Sequence, residues 1–523
     1  MAIISRSLES LTAAAPTALS KYQNPILPGW HSDPSCVFAK EWDNTFFCTT
    51  SSFLTFLGAL VYASKDLVHW KHASNAYNRK DDIPQMFIST TWQQEGIFAS
   101  TLRLHNGKMY LITLYISLTD LVPEFLLWST INPFDNSAWE GPASIPNPSF
   151  KIDPDLFWDD DGSLYVATSG TFLQKVNLQT GQSTAPVDLW NGTGGAHTEG
   201  PHLYKKDGWY YLLVAEGGTE TNHSVTMARS KNVWGPYESA PKNPLLTNRG
   251  TNEYFQTVGH ADLLEDQSGN WWGVLHCQLE ADQTGPSIPW EEKRCCSLPN
   301  RRVPGQGQWV DAGDKNLPQG GEIPSHFVHW RPPPRRDDIY RVVRHRGRSV
   351  FSLEASSANL TGAGDYKPAA GQTFMARKQA HTRFLFSIDV DSDVLSKAGQ
   401  ETGLSVFLTS YQHIDLSVVM LPDKRMKTSL NVQLRAESLG KPEFKPIKPI
   451  TVPLPGHWKG KRITLSVDGD EAGYCFYASL SPKSSKKNTK FLGYVSAGLV
   501  SGGSGPFSGT LMNPSPISRH ASG

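Results

Sequence analysis

A short pattern recurs five times between residues 30 and 285 and limits the folds that are open to this chain. Each copy is a polar turn followed by an aromatic, apolar strand. Asn-Gly and Asp-Gly pairs favour two-residue hairpin turns, because both central residues need positive φ. A spacing of about fifty residues is typical of architectures built from similar units packed side by side. The copies are "DNTFFCTT" from Asp43, "NGKMYLIT" from Asn106, "DGSLYVAT" from Asp161, "DGWYYLLV" from Asp207 and "GNWWGVLH" from Gly269.

A second short strand precedes each turn, and we call the stretch in which it begins the opening segment of the unit. The five opening segments are "HSDPSCVF", "GIFASTLRL", "KIDPDLFW", "HTEGPHLY" and "VGHADLLE". Most units continue into a further turn-rich segment such as "SKDLVHW" or "SKNVWGPY", which predicts an outer hairpin. Four strands per unit and five units predict a five-bladed β-propeller, in which small sheets pack around a central channel.

The opening segments are predicted to converge, because the innermost strand of each blade lines the channel and its first residues lie at one mouth. A proline directly follows Asp33 and Asp153, and a residue before proline favours extended backbone. We therefore expect extended carboxylates at the strand entrances. Loop punctuation explains any single acidic segment equally well, but it explains three acids at equivalent positions poorly. The side chains predicted to meet, one per blade, are Asp33, Phe98, Asp153, Glu199 and His260.

Three carboxylates in one concave site have a recognisable chemical use. Like charges at close range raise at least one pKa, so one carboxyl group stays protonated as an acid while another stays ionised as a base. Inverting glycoside hydrolysis uses such a pair, roughly 6.5–9.5 Å apart. Because Asp33 and Glu199 belong to non-adjacent blades, we predict Asp33 as the general base and Glu199 as the general acid. Asp153, on the blade beside Glu199, is predicted to raise the pKa of Glu199 and to orient it.

Charge and composition exclude several classes of partner. Lys plus Arg and Asp plus Glu both number 49, so neither nucleic acid nor an anionic membrane is an expected partner. No stretch reaches the length of a membrane helix and no signal peptide is visible, which predicts a soluble protein, intracellular as written and extracellular if the N-terminus is mis-assigned. The six cysteines lack zinc or disulfide-framework spacing and are expected to be mostly buried thiols. The oligomeric state stays open.

Four segments together resemble glycoside hydrolase family 43, the inverting β-xylosidases and α-L-arabinofuranosidases with a five-bladed propeller. They are "NPILPGWHSDPS", "KIDPDLFWDDDG", "HTEGPHLYKKDGWYYL" and "EYFQTVGHADLLED", within residues 24–285. The resemblance implies the same roles for Asp33, Asp153 and Glu199. It also implies exo-acting release of a terminal pentose from xylo- or arabino-oligosaccharides, with no required cofactor; which pentose is preferred is not predicted.

The resemblance extends to three further residues. Members of the family use the histidine at His260 near the sugar or to hold a channel cation, often calcium, largely through water; a structural imidazole is an equal alternative. Phe98 stands where many members have Trp or Tyr, which implies an aromatic wall. Phe53 in "TTSSF" matches a pocket aromatic, although a core Phe explains it nearly as well. Phe53, Phe98 and His260 are thus the predicted substrate-binding residues, and a structural calcium ion in the channel is an option with no certain ligand.

The second half of the chain resembles the concanavalin-like β-sandwich appended to β-xylosidases of this family. Its segments include "IPSHFVHWRPP", "ARKQAHTRFLFSIDVD" and "GLSVFLTSYQHIDLSVV", and alternating apolar strands support a sandwich independently. The predicted organisation is a disordered extension at residues 1–22, a catalytic propeller at 23–318, a sandwich at 319–510 and a tail at 511–523. The fold class is therefore all-β.

One segment departs from the family pattern. Relatives carry a stretch like Met-Gly-Arg-Glu-Thr-Val-Leu-Phe-Pro after the last blade, where this chain has "PWEEKRCCSLPNRR" at residues 289–302. Codons for Trp290 to Leu298 exist that, read one base earlier, encode the family stretch, so a local frameshift or mis-called intron is one hypothesis. If the protein is made as written, a carbohydrate-binding pseudoenzyme with weak or no hydrolysis is the alternative function. A retaining enzyme acting on fructosides, from a related propeller class, is a third.

Overall fold

The computed structural model describes the chain in two compact units, Met1–Ala281 and Asp282–Gly523. Both are built almost wholly of strands and short turns. Along the part of the chain that is described, no helix has the length and apolar character needed to cross a membrane. The described residues are 2–4, 24–88, 93–118, 123–148, 150–220, 222–253, 255–278, 323–324, 326–333, 339–345, 348–354, 360, 372–381, 383–423, 427–444, 447–470, 472–480, 488–505 and 507–513.

The first unit contains twenty-two described strands and a few short helical turns. The strands are β1 Ala2–Ile4, β2 Ser35–Ala39, β3 Thr45–Thr49, β4 Thr55–Phe56, β5 Gly58–Ser64, β6 Trp70–Tyr77, β7 Gly96–His105, β8 Lys108–Ile116, β9 Glu124–Thr130, β10 Glu140–Ile145, β11 Asp155–Trp158, β12 Leu164–Thr168, β13 Phe172–Asn177, β14 Gln182–Ser183, β15 Val187–Asp188, β16 Glu199–Lys206, β17 Trp209–Glu216, β18 Ser224–Ser230, β19 Glu238–Ser239, β20 Leu246–Thr247, β21 Thr257–Glu265 and β22 Trp271–Gln278. The helix α1 is Pro84–Ile88, and 3-10 turns are Lys40–Trp42, Lys80–Asp82 and Asn136–Ala138.

All of these strands except β4 form five antiparallel sheets that follow one another along the described chain. Sheet 1 has the order β2-β3-β5-β6, sheet 2 β7-β8-β9-β10, sheet 3 β11-β12-β13-β14 with β15 on β13, sheet 4 β16-β17-β18-β19 with β20 on β18, and sheet 5 β21-β22-β1. The predicted tight turns are confirmed where Asn106-Gly107 and Asp207-Gly208 both have positive φ and join paired strands. In this way the sequence repeat becomes a repeat of hairpins.

The first strands of the five sheets contact one another in cyclic order. β2 contacts β7, β7 contacts β11, β11 contacts β16, β16 contacts β21, and β21 contacts β2. Apolar side chains fill the space between neighbouring sheets. Leu212 and Val214 pack toward sheet 3 while Leu213 packs toward sheet 5, so both faces of β17 are buried. This explains the unbroken apolar run "YYLLV", because alternate side chains of a strand point to opposite faces.

Two details of the first unit differ from the sequence prediction. Ala2–Ile4 forms a strand paired with β22, within the stretch 1–22 that was expected to be disordered; residues 5–23 lie outside the described chain. Cys36 and Cys48 form a disulfide rather than remaining thiols. They face each other directly across β2 and β3 with Cα atoms 4.1 Å apart, a relationship that their spacing in the sequence does not reveal.

The second unit has the strands of a two-sheet sandwich. They are β23 His329–Trp330, β24 Tyr340–His345, β25 Arg348–Leu353, β26 Arg377–Lys378, β27 Phe384–Asp391, β28 Glu401–Thr409, β29 Gln412–Asp423, β30 Lys427–Glu437, β31 Ile450–Pro453, β32 Arg462–Gly469, β33 Gly473–Leu480, β34 Thr489–Ser496 and β35 Leu511–Asn513, with 3-10 turns at Ser392–Val394, Gly456–Trp458 and Ala497–Val500. One sheet has the order β26-β35-β28-β29-β30-β31 and the other β27-β32-β33-β34, while β24 and β25 form a hairpin.

The core of the second unit lies between its two large sheets. Leu404 and Leu416 from one sheet pack with Leu465 and Phe476 from the other in a single buried cluster. Leu511–Asn513, which the sequence assigned to a tail, pairs with β28 and is buried. Residues 514–523 and the unusual segment 289–302 lie outside the described chain.

Candidate active site

Each of the five sheets carries a residue with left-handed backbone just before, or in the first part of, its first strand. These five left-handed residues are Asp33, Ala99, Asp153, Gly200 and His260, with φ between 38° and 57°. The expectation that proline would hold Asp33 and Asp153 in extended backbone is therefore wrong, because their φ values are 52° and 57°. Aspartate is among the residues that tolerate this region best, although a non-glycine residue there costs about 1–3 kcal/mol.

The same feature corrects the register of the opening segments. Phe98 and Glu199 were aligned with Asp33, Asp153 and His260, but the equivalent left-handed positions in their sheets are one residue later, at Ala99 and Gly200. The strands of Phe98, Glu199 and His260 all carry the same β-bulge, between Phe98 and Thr101, between Glu199 and His202, and between Gly259 and Asp262. A bulge adds one residue to a strand and redirects side chains. Measured from the bulge, Phe98 and Glu199 are equivalent to Gly259, and Ala99 and Gly200 are equivalent to His260.

Asp33 lies in a polar niche made by two sheets. Ser51 Oγ donates a hydrogen bond of 2.5 Å to Asp33 Oδ2 and accepts one of 2.6 Å from the backbone N–H of Ala99. Nδ1 of His260 lies 3.4 Å from Asp33 Oδ1, and Nδ1 of His276 lies 3.7 Å from the same atom. Burial alone would raise the pKa of Asp33, but the two histidines and Ser51 hold that pKa well below its ordinary value. Asp33 is therefore expected to be ionised at neutral pH.

Glu199 has the opposite electrostatic environment. It begins β16, and its Oε1 is buried with no hydrogen-bond partner among the described residues. Burial, and after it the carboxylate of Asp153, raise the pKa of Glu199 to about 7, with a smaller opposing effect from His260. Asp33 adds a further raising effect. These mutual influences show that Asp33, Asp153, Glu199 and His260 lie together at one site.

Asp153 connects to Glu199 through the backbone as well as through charge. Asp153 is 8% exposed, and its Oδ2 accepts a 2.9 Å hydrogen bond from the backbone N–H of Gly200, the residue after Glu199. Burial raises the pKa of Asp153, with partial compensation from His260. Only glycine fits at position 200, because a Cβ there would lie 2.9 Å from the imidazole of His260 on a backbone with φ of 55°.

Three histidines lie side by side next to Asp33. The ring centroids of His260 and His276 are 6.2 Å apart, and those of His276 and His223 are 4.8 Å apart. Burial lowers the pKa of His276 and of His223, which favours neutral rings. Among the described residues, no three His, Cys, Asp or Glu side chains are grouped as metal ligands. Sequence reasoning found His260 but not His276, because His276 lies in the second strand of its sheet rather than in an opening segment.

An aromatic cluster stands beside these polar groups. Phe53 stacks on Trp30 with centroids 5.6 Å apart and meets Phe98 edge-on at 4.6 Å. Phe53 is only 1% exposed, so its ring has no free face for a ligand. Phe98 is half-buried and is the more suitable of the two predicted aromatics for contact with a sugar. Phe53 instead supports Trp30 and Phe98 from behind.

Comparison with known proteins identifies the family to which this chain belongs. Residues 22–290 match the family described as Glycosyl hydrolases family 43, and residues 340–512 match the Beta xylosidase C-terminal Concanavalin A-like domain. The chain belongs to glycoside hydrolase family 43. It is therefore a glycoside hydrolase, and the family recognised from the sequence motifs is confirmed.

Several curated family 43 proteins are similar along most of their length. A non-reducing end alpha-L-arabinofuranosidase of Bacteroides ovatus is 30% identical over 431 residues, covering 77% of this chain and 76% of that protein. A xylosidase/arabinosidase of Butyrivibrio fibrisolvens is 29% identical over 445 residues, covering 77% and 80%. A xylosidase/arabinosidase of Humicola insolens is 27% identical over 509 residues, covering 90% and 89%.

Solved family 43 structures share the fold. The family 43 protein of Bacillus licheniformis aligns with a TM-score of 0.77 and 23% identity, covering 96% of each chain. A xylan beta-1,4-xylosidase from Bacillus halodurans aligns with a TM-score of 0.76 and 23% identity, covering 96% of this chain and 97% of that one. The all-β fold of a propeller followed by a β-sandwich is thus confirmed, while the number of blades stays a prediction.

Sequence reasoning missed several residues that complete this family 43 site. Ser51 precedes the recognised Phe53 in "TTSSF", and its hydroxyl group was overlooked because serine is common in loops. Gly200 was seen only as part of a Gly-Pro turn, although it lies against the imidazole of His260 and its N–H donates to Asp153. Ser51 contacts Asp33 within sheet 1, and Gly200 contacts Asp153 between sheets 3 and 4.

Proposed function

We propose that this protein is an inverting, exo-acting glycosidase that releases terminal β-D-xylose or α-L-arabinofuranose from xylan-derived oligosaccharides. The observation that carries the proposal is the separation of two pKa values in one site: that of Asp33 is held below its ordinary range, while that of Glu199 is raised to about 7. Two carboxyl groups with opposite protonation at neutral pH are what an inverting glycosidase needs. The names of the relatives from Bacteroides ovatus and Butyrivibrio fibrisolvens support the choice of pentosides.

In the proposed reaction, Asp33 is the general base. Its carboxylate takes a proton from a water molecule, and that water attacks the anomeric carbon from the face opposite the leaving group. The hydrogen bond from Ser51 occupies Oδ2, which leaves Oδ1, the atom that faces His260 and His276, as the oxygen for the water. A base whose pKa is low stays ionised across the whole physiological range.

Glu199 is the proposed general acid. Its raised pKa keeps it protonated near neutral pH, so it can deliver the proton to the glycosidic oxygen as the bond to the anomeric carbon breaks. The products are an alcohol and a sugar of inverted configuration, and the enzyme is left with Asp33 protonated and Glu199 ionised until protons exchange with solvent. No cofactor takes part in these steps.

Asp153 is the proposed modulator of the acid. Its carboxylate raises the pKa of Glu199, and its hydrogen bond to the N–H of Gly200 fixes the strand entrance at which Glu199 sits. His260, between Asp33 and Gly200, is proposed to line the same subsite. Phe98 is proposed to provide the apolar wall that covers one face of the sugar, since aromatic faces bury C–H surfaces well.

The architecture proposed for this site is a five-bladed propeller. The five sheets and the cyclic contacts of their first strands support one blade per sheet. In such a ring sheets 1 and 4 are not neighbours, so Asp33 and Glu199 would face each other across the channel with space for one sugar and one water. A closed mouth of this kind favours chain ends over internal linkages.

The test is hydrolysis of p-nitrophenyl β-D-xyloside and p-nitrophenyl α-L-arabinofuranoside by the wild type, Asp33→Ala and Glu199→Ala. Both variants are expected to lose nearly all activity on the preferred substrate, and NMR of the first product from an oligosaccharide should show the inverted anomer. Equal rates in the three proteins, or a product of retained configuration, would overturn the proposal. The retained product would instead favour the nucleophilic mechanism of the fructoside-acting alternative.

The carbohydrate-binding alternative without hydrolysis has no support from the comparisons. The relatives named above are described as glycosidases, and the segment that suggested lost activity, residues 289–302, lies outside the described chain. Sequencing the transcript across codons 285 to 310 decides whether this segment is translated as written, and an unshifted frame would reject the frameshift hypothesis.

A further inference from the structure

One arginine joins the innermost strands of all five sheets. Nη1 of Arg103, on β7, donates to Asp262 Oδ2 at 2.8 Å and to Ser35 Oγ at 3.3 Å. Its Nη2 forms a 2.8 Å ion pair with Asp155 Oδ1 and donates to His202 Nδ1 at 2.9 Å. These partners belong to β21, β2, β11 and β16. A single guanidinium group therefore holds one residue from each of the other four sheets.

The partners of Arg103 occupy one level of the repeat. Each lies two positions after the left-handed residue of its own strand. We call these four partners the Arg103 ring; they lie further along their strands than the left-handed residues of the active site. The ring partners are Ser35, Asp155, His202 and Asp262, all 3% exposed or less. Buried charges are costly unless they are paired and hydrogen-bonded. The guanidinium is thus a built part of the channel rather than a chance surface contact.

The ring leaves no ligand set for a divalent cation. Both carboxylate oxygens of Asp262 are fully used: Oδ2 accepts from Ser35, Cys36 and Arg103, and Oδ1 accepts from Tyr204, Leu263 and Arg103. Calcium needs six to eight oxygen ligands. Asp155 is ion-paired with the guanidinium, and its Oδ2 accepts from the N–H of Leu203. A second cation would also lie against a fixed positive charge, so these residues do not fit a calcium ion at this level of the channel.

We propose that Arg103 is the resident cation at this level of the channel, and that it ties the first strands of the five sheets together. The fold and the spacing of Asp33, Asp153 and Glu199 then depend on this guanidinium. Lysine cannot replace it fully, because the planar fork of arginine serves Asp262 in a bidentate manner and still reaches Asp155 and His202.

The experiment compares wild type, Arg103→Ala, Arg103→Lys and the control Arg229→Ala, which removes an exposed guanidinium paired with Glu238. Thermal unfolding is followed in EDTA and in CaCl₂. Arg229→Ala is expected to melt close to the wild type in both solutions, because an exposed ion pair adds little stability. Arg103→Ala is expected to melt lower than the wild type in both solutions, because the buried carboxylates of Asp155 and Asp262 lose their cation.

An Arg103→Ala protein that melts as the wild type does would overturn the proposal. If Arg103→Ala yields no soluble protein, Arg103→Lys decides. A melting temperature of Arg103→Lys below that of the wild type in both solutions supports the proposed link between the five strands, and a melting temperature equal to that of the wild type rejects it. These measurements need no substrate, so they stand apart from the test of the proposed reaction.

Discussion

The backbone N–H of Gly200 donates a 2.9 Å hydrogen bond to Oδ2 of Asp153, and this bond joins the left-handed residues of two neighbouring sheets. Glu199 directly precedes Gly200. Asp153 therefore acts on Glu199 in two ways, through its charge, which raises the pKa of the acid, and through the backbone position that it fixes. These two effects separate experimentally.

Asp153→Asn is expected to move the pH dependence of hydrolysis. The amide oxygen can still accept from Gly200, but the negative charge that raises the pKa of Glu199 is gone, so that pKa falls. The alkaline limb of the kcat/KM profile should shift to lower pH by roughly one unit. Asp161→Asn, in the exposed turn of the same "DPDLFWDDDG" stretch, should leave the profile unchanged. An unshifted limb in Asp153→Asn would show that charge is not its role.

The roles of Asp33 and Glu199 predict different responses to the leaving group. Glu199→Gln cannot protonate the glycosidic oxygen and should lose about 10²–10⁴-fold on an alkyl or p-nitrophenyl glycoside. The loss should be much smaller on a 2,4-dinitrophenyl glycoside, whose leaving group departs without a proton. Asp33→Ala lacks the base and should lose activity on both substrates alike. Similar ratios for the two variants across both substrates would contradict the assignment of acid and base.

The wild-type pH profile follows from the same pKa values. Activity needs Asp33 ionised and Glu199 protonated. The pKa of Asp33 lies below its ordinary range, so the acidic limb should lie at unusually low pH and should be masked by unfolding. The pKa of Glu199 is raised to about 7, so kcat/KM should fall as pH rises through about 7. A plateau that continues well above neutral pH would exclude Glu199 as the acid at this pKa.

Glu199→Gln is also expected to stabilise the fold at alkaline pH. Folding raises the pKa of Glu199 from an ordinary 4.5 to about 7, so the native state binds the proton more tightly and its stability falls as pH rises between these values. Above pH 7 the ionised group lowers the free energy of unfolding, and glutamine should recover about 1–3 kcal/mol. Urea unfolding of both proteins at acidic and alkaline pH measures this; a difference that does not grow with pH would contradict it.

The acidic residues of the site could be predicted from the sequence, because each of them lies in a short segment with a recognisable pattern. Asp33, Asp153 and Glu199 each stand in an opening segment beside or near a proline and a recognisable strand, so the repeat alone pointed to one shared site. Register was predicted less well, because the β-bulges in the strands of Glu199 and His260 have no residue type that marks them in the sequence, and the two residues were aligned one position out of step. The backbone conformation of Asp33 and Asp153 was also missed, since the rule for residues before proline describes average behaviour and both residues are left-handed.

Contacts between segments that are distant in the sequence could not be predicted, for a different reason. Arg103 pairs with Asp262, 159 residues away, and Ser51 bonds to Ala99, 48 residues away. No short sequence pattern marks either pair, because serine, arginine and aspartate are common residues near strand ends. Only the arrangement of the sheets brings the two members of each pair together. The disulfide between Cys36 and Cys48 was missed for the same reason, as it depends on direct pairing across two strands.

Gly200→Ala is expected to damage both stability and activity. The new Cβ would lie 2.9 Å from the imidazole of His260 and would sit on a backbone with φ of 55°, so it adds a clash to the cost of left-handed conformation, about 1–2 kcal/mol. Gly181→Ala is the matched control, because Gly181 has φ of 69° but no heavy atom within 4 Å of the added carbon. Both variants should melt lower than wild type, Gly200→Ala by the larger amount, and only Gly200→Ala should lose kcat, because the shift moves Glu199 relative to Asp153. Equal losses of melting temperature and of kcat in the two variants would show that the contact with His260 has no part in positioning the acid.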